Sequence, residues 1–373
     1  MRVLVLGITA SPFEVEYQIH YSVHKIFGTA TGFADLGHET FLMAKKDTSM
    51  IEGVQLKPYS TMDKEFINSM DLIVFTIEGG VEKCIKASSG LTWLFEERVV
   101  GNRHHPKIVS KMGKHTWMSK TPWNLRGCYD IFDYFFMQEV GFASAFNSAI
   151  GDIDNKIFVS KMGVPKKIVD KPKLPPFEKS KYNLLYMGRM RQTPSKMPFM
   201  INMMNLLGDN FKLIILPGTF SKPGFKGRNK FGPQTPENFK WLQDFFSPAT
   251  NIDVHYPVNW GQHWKYLQHA DLGIDFAPHH KVRKYPAGNA KLLEYMTAGL
   301  PSITEENSGN SELIEIASGG LILNQGSSPN NYAAAIKKSL SMRFDRPKIS
   351  KITIKNNNWE LRAEEMLLNM ELS

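Results

Sequence analysis

Short apolar runs recur along this chain with one helix-length segment between each pair, and no other feature restricts the fold as much. "RVLVLGI" opens the chain, and "ETFLMA" follows a glycine-punctuated helical stretch, "VHKIFGTATGFADLGH". "MDLIVFTI" (70–77), "PKIVSKM" (106–112) and "YDIFDYFFMQ" (129–138) continue the series. Runs of this length, bounded by Gly and Asp, are the signature of a parallel sheet wrapped by helices. The rhythm stops at "VPKKIVDKPKLPPFEKSK" (164–181), a Pro- and Lys-rich stretch with little apolar periodicity that reads as a linker. It then restarts. "YNLLYMG", "FKLIILPG", "NIDVHYPV" and "DLGIDFAP" read as strands, with "KMPFMINMMNLLG" and "WGQHWKYLQHA" as helices. The methionine stripe in the first of these helices reads as core packing. A chain of 373 residues suits two domains. The expected fold is therefore α/β with two Rossmann-like domains, at 1–172 and 173–350. The final segment, 351–373, is expected to form a C-terminal helix that returns to the first domain.

Composition excludes several classes. The two cysteines, Cys84 and Cys128, lie far apart, which rules out a disulfide framework and a cysteine-based zinc site and suits a reducing compartment. His104-His105 resembles a metal pair, but adjacent loop residues lack ligand geometry, so no metal site is expected. The first apolar run ends at Gly7 without a cleavage-site pattern and reads as a buried strand rather than a signal peptide. No run approaches the ~20 apolar residues of a membrane span. A soluble, cytoplasmic monomer without stable membrane insertion is expected. The net charge of +9 suits a polyanionic partner, or simply marks a basic protein.

Three strand ends in the second half carry chemistry. In "YMGRMRQTPSK", Gly188 permits close backbone approach, Arg189 and Arg191 offer forked donors, and Lys196 stands at a helix start. Together they suit a diphosphate; the alternative is a solvated basic loop. In "GNAKLLEYMTAGLPSITEE" (288–306), Glu294 is a lone acid in an apolar helix that stops sharply at Gly299-Leu300-Pro301. A carboxylate there needs donors, and the two vicinal hydroxyls of a ribose would supply them. The alternative is a solvent-facing helix position. At "HYPVN" (255–259), the backbone of Pro257 and Val258 is placed to meet a nucleobase edge. A Gly-, Pro- and Lys-rich loop at 218–239 is long enough to cover such a site.

These elements together resemble the GT-B glycosyltransferases, which use nucleotide sugars. "KLLEYMTAGLP" (291–301) is similar to the "K-L-x-E-Y-M-A-x-G-x-P" run of many members. "LGHETFLMA" (36–44) is similar to their Gly-His-Glu turn, and "HADLGIDFAP" to their late strand. The resemblance covers most of the chain. It implies two domains facing a central cleft, an acceptor site in the first and a UDP-sugar site in the second. No permanently bound cofactor and no strictly required metal are implied. It also implies a hexosyl- or pentosyltransferase in which Glu294 binds the ribose and Arg189, Arg191 and Lys196 bind the diphosphate. Many retaining members carry another Glu eight residues before this one, where this chain has Pro286, so the stereochemical outcome stays open.

A narrower resemblance joins "LLYMGRMRQTPSKM" and "LLEYMTAGLPSITEE" to the donor site of the T-even phage DNA β-glucosyltransferases. It implies a hydroxymethylated pyrimidine in double-stranded phage DNA as acceptor. That family's catalytic aspartate has no counterpart in "PKIVSKMGKHTWM". A base is still needed to take the acceptor's proton, and Glu78 and His115, just past two strands of the first domain, are the candidates. For DNA, the stretch 102–126 interleaves cations with aromatics: Arg103, Lys111, Lys114, Trp117, Lys120, Trp123 and Arg126. The alternative for that stretch is a basic loop with core tryptophans. Two other functions remain open. One is a transferase of polysaccharide or lipid-linked glycan at a membrane surface. The other is a catalytically silent fold that binds DNA or nucleotide.

Overall fold

A computed structural model describes residues 1–7, 21–44, 48–76, 88–102, 106–112, 131–150, 154–168, 174–190, 196–220, 236–256, 262–276 and 290–372. The chain forms two compact units. Met1–Val15, Tyr21–Pro165 and Asn356–Ser373 belong to the first, and Lys166–Lys355 to the second.

The first unit runs β1 (Arg2–Leu6), α1 (Tyr21–Asp35), β2 (Glu39–Ala44), β3 (Met50–Ile51), β4 (Val54–Pro58), α2 (Lys64–Asn68), β5 (Leu72–Phe75), α3 (Ser89–Val99), β6 (Lys107–Met112), β7 (Tyr134–Met137), α4 (Val140–Ile150) and β8 (Ile157–Val159). Its sheet has the order β3-β4-β2-β1-β5-β6-β7-β8. All neighbours are parallel except the β3–β4 hairpin at the edge. Val3 to Leu6 and Leu72 to Phe75 have no exposed surface, because these central strands are covered on both faces. That is why they read as continuous apolar runs.

The second unit runs β9 (Tyr182–Met190), α5 (Lys196–Leu207), β10 (Phe211–Phe220), α6 (Pro236–Phe246), β11 (Ile252–Val254), α7 (His263–His269), β12 (Leu272–Ile274), α8 (Ala290–Thr297), β13 (Ser302–Glu305), α9 (Ser308–Ala317), β14 (Gly320–Leu323), α10 (Pro329–Ser341) and α11 (Arg346–Asn357). All six strands are parallel, in the order β11-β10-β9-β12-β13-β14. Winding therefore proceeds outward from β9 to β11, then jumps back to β12 and runs the other way. That jump makes the β9/β12 boundary the switch point of a doubly wound sheet. Leu184 and Tyr186 of β9 pack on one face with Met200, Met203 and Met204 of α5, the core role expected of the methionines. Leu185 and Met187 pack on the other face with Trp264, Leu292 and Tyr295.

The chain then returns to the first unit as α12 (Trp359–Asn369). Asn358 caps this helix by accepting from Leu361 N at 2.8 Å, and Trp359 N donates to Val164 O at 3.1 Å. Trp359 lies against Gly28 and Gly32 of α1, where a side-chain carbon would collide with its indole and its carbonyl. The glycines that weaken α1 as an isolated helix are the notch that admits α12. Among the described residues, no helix is long and apolar enough to cross a membrane.

Candidate functional site

The switch point of the second unit gathers polar groups that an ordinary core would exclude. β9 ends in Gly188, Arg189 and Met190. Gly188 has φ +139°, a conformation that side chains avoid, so the backbone is bare at the end of this strand. Across the boundary, β12 ends at Ile274 and is followed by Asp275, which is 1% exposed.

Helix α8 is locked to both strands by Tyr295. The phenol oxygen accepts from Met187 N of β9 at 2.7 Å and donates to Ile274 O of β12 at 3.5 Å. Burial pushes this phenol well above its usual range, so it stays protonated. With the helix fixed in this way, Lys291 and Glu294 project from positions three apart, on neighbouring parts of one face.

Glu294 is buried, and its surroundings push its carboxyl up to about 8, through desolvation of the charged form. The solvent-facing alternative is thereby removed. Burial makes such a carboxyl costly to ionise, and donors from a bound ligand would favour its charged form.

Lys291 places its ammonium 2.7 Å from Asp275 Oδ1 and 5.0 Å from the centre of the Tyr186 ring. A side-chain carbon at Gly188 would lie 3.7 Å from its Cε and Nζ. The other Asp275 oxygen accepts from Thr304 Oγ1 at 3.1 Å and from Asn310 Nδ2 at 3.0 Å. The Asp275 carbonyl accepts from Tyr332 OH at 3.2 Å, and the same hydroxyl lies 3.1 Å from Glu305 Oε1. The result is a buried network that ends in one cation.

The described residues bring Gly188 and Glu294 to the same switch point. Lys196 opens α5, but its side chain, that of Arg189, and all of Arg191 lie outside the described residues. So do Glu78, His115, Pro257 and Val258, the His104-His105 pair, and Arg103, Lys114, Trp117, Lys120, Trp123 and Arg126. Near the expected base-reading strand end, His255 Nδ1 lies 3.2 Å from Tyr266 OH, and burial lowers its pKa.

Lys111 is corrected by the structure. It is 2% exposed on β6, with Nζ 5.2 Å from the centre of the Trp359 ring and 3.8 Å from Met366 Sδ. Its backbone oxygen accepts from Lys25 Nζ at 3.0 Å. Burial, then the charges of Lys25 and Arg362, push its pKa well down. Helix α12 covers this face of the sheet, so Lys111 has no path to a DNA phosphate. Sequence reading also passed over Lys291 and Asp275. Both had signals: Lys291 stands within the apolar helix three residues before Glu294, and Asp275 directly follows an apolar strand.

No protein-family model matches the chain. A stretch of 78 residues is 36% identical to spore coat protein SA of Bacillus subtilis (strain 168), covering 20% of this chain and only 21% of that protein. Solved structures are similar over the whole chain. A glycosyltransferase from Rickettsia africae has a TM-score of 0.65 at 12% identity, covering 100% of this chain and 98% of its own. Sucrose-phosphate synthase from Thermosynechococcus elongatus gives 0.64 at 12% identity, covering 100% and 99%. Anabaena HepE, solved in complex with UDP, gives 0.63 at 12% identity, covering 100% of both chains. The chain therefore has the fold of these proteins, the two-unit α/β GT-B fold.

Proposed function

We propose that this protein is a glycosyltransferase whose second unit binds a UDP-sugar at the β9/β12 switch point. The observation that carries this reading is Glu294, a buried carboxyl one helical turn from Lys291, whose ammonium lies by the bare strand end at Gly188 and pairs with the buried Asp275. A ribose diol offers two donors to the Glu294 carboxylate, and a diphosphate suits Gly188, Arg189, Arg191 and Lys196. Solution of the similarly folded HepE with UDP supports the same ligand.

In the reaction, an acceptor hydroxyl oxygen attacks the anomeric carbon and the bond to the diphosphate breaks. The acceptor's proton passes to a base, for which Glu78 and His115 are the candidates. Cations at the donor site stabilise the charge that develops on the departing diphosphate.

For the acceptor, the net charge of +9 and the donor-site resemblance support hydroxymethylated pyrimidines in duplex DNA. Such a base must be flipped out for its hydroxymethyl group to reach the sugar. Burial of Lys111 favours a second reading, because it removes from DNA contact the one described residue among the candidate DNA-binding side chains. That reading is transfer to a polysaccharide or lipid-linked glycan.

The test incubates the protein with a panel of UDP-sugars and three acceptors: hydroxymethylated duplex DNA, the same duplex unmodified, and lipid-linked glycan. Nucleoside and glycan mass spectrometry read the products. Sugar on the modified duplex alone supports the DNA reading. Sugar on glycan alone replaces it with the second. UDP binding without release of UDP from any pairing would leave a silent nucleotide-binding fold and refute the enzymatic reading.

A further inference from the structure

We propose that Lys291 is a diphosphate-binding cation of the donor site, with Asp275 as the residue that positions it. The inference rests on the nucleotide-sugar reading and deepens it.

Three independent features converge on this lysine. The first is topology. In a doubly wound sheet, ligands bind outside the carboxyl ends of the strands at the switch point, and Lys291 lies there, between the end of β9 and the residue that follows β12. The second is steric. Gly188 keeps the strand end bare, and the nearest side-chain atoms a Cβ would meet there are Tyr186 OH at 3.4 Å and Lys291 Cε and Nζ at 3.7 Å. A phosphate resting on this strand end meets the ammonium. The third is the asymmetry of the ion pair. The Asp275 side chain is 1% exposed and that of Lys291 17% exposed. The carboxylate sits inside and the cation faces outward, so the pair presents its positive end to the strand ends.

The network behind Asp275 explains how the lysine is held. Thr304 and Asn310 occupy the second carboxylate oxygen. Asn310 is anchored in turn, its backbone N–H donating to the Asn307 cap at 2.9 Å. A flexible lysine is thereby held in one place before any ligand arrives, which spares the ordering cost at binding. An ammonium carries three donors on a compact head, enough to keep Asp275 and meet a phosphate oxygen together. A buried ion pair is a poor device for stability alone, since apolar residues of similar size commonly do as well. Its place at the strand ends gives it a second use.

The experiment compares UDP affinity by calorimetry, and melting temperature, for wild type, Lys291→Met, Lys291→Arg, the double variant Asp275→Asn/Lys291→Met, and Glu294→Gln. Lys291→Met is expected to lose UDP affinity at least tenfold, with partial recovery in Lys291→Arg. The single Met variant strands the Asp275 carboxylate and is expected to melt early, so the double variant decides. With both charges removed, its melting temperature is expected to return towards wild type while UDP affinity stays low. A double variant that regains wild-type UDP affinity would show that Lys291 only neutralises Asp275, and would overturn the proposal. UDP affinity lost in Glu294→Gln but kept in every Lys291 variant would overturn it too, leaving the donor-site reading intact. Wild-type protein that binds no nucleoside diphosphate would sink both.

Discussion

Glu294 poses a charge problem that pH reads out. Its carboxyl is held near 8 in the folded chain, against 4.5 for the ordinary group. The folded state therefore holds a proton that the unfolded state has already released between those values. Stability from this group is full below about 4.5 and is lost as pH rises through about 8. Over that window the loss is on the order of a few kcal/mol. Glu294→Gln has no proton to lose, so its stability is expected to change less than that of wild type between pH 5 and 9. Urea titrations of both proteins across that range check this, and parallel pH profiles would refute it. Binding follows the same chemistry. A ribose diol donating to the carboxylate favours the ionised form, so UDP binding near neutral pH is expected to release a proton. Calorimetry in buffers of different ionisation enthalpy measures that proton directly. Glu294→Ala should cost UDP binding roughly 1.5–3 kcal/mol, the range for hydrogen bonds to a charged group.

Helix α8 is held by one hydroxyl and by its apolar side. It is eight residues long, too short to hold its shape alone. Tyr295 ties it to the β9 backbone at Met187, and Leu292, Leu293 and Met296 bury its apolar side. Tyr295→Phe keeps the ring but leaves the Met187 N–H buried without its acceptor. The expected cost is about 1–3 kcal/mol of stability. Because Lys291 and Glu294 ride on this helix, weaker UDP binding is expected as well. Thermal melting and UDP titration of the one variant test both effects. Unchanged UDP affinity together with a lowered melting temperature would separate the helix anchor from the site.

At the scale of the whole molecule, the C-terminal segment leaves the second unit to complete the first. Trp359 is 3% exposed and fills the notch made by Gly28 and Gly32. Trp359→Ala is expected to destabilise the first unit by about 3–5 kcal/mol, the range for emptying a large aromatic site. The same change removes the ring beside the buried Lys111 ammonium. Hydrogen exchange is the suited measurement: amides of β1, β5 and β6 should exchange faster, while those of β9 and α8 keep their protection and UDP still binds. Equal loss of protection in both units would contradict that division.

The two-part α/β architecture was legible in the sequence because strands buried on both faces must be continuously apolar, and the interruption at 164–181 separates two such series. Several short elements were not legible. β3 and β4 at one sheet edge, β8 at the other, and β14 at the end of the second sheet are runs of two to five residues, too short for periodicity to mark them. Glu294 stood out because an acid in an apolar helix contradicts its surroundings, and burial is the outcome that contradiction foretold. Lys111 misled for the converse reason. Its neighbours in the chain are basic, but its neighbours in space are Trp359 and Met366, more than 240 residues away in sequence. Local composition sets which segments become strands and helices, since periodicity and turn residues act over a few positions. Which buried charge meets which partner depends on strand order and on the return of α12. Only the tertiary structure brought Asp275 to Lys291 and carried Lys111 out of reach of solvent, because those contacts join residues that no local pattern connects.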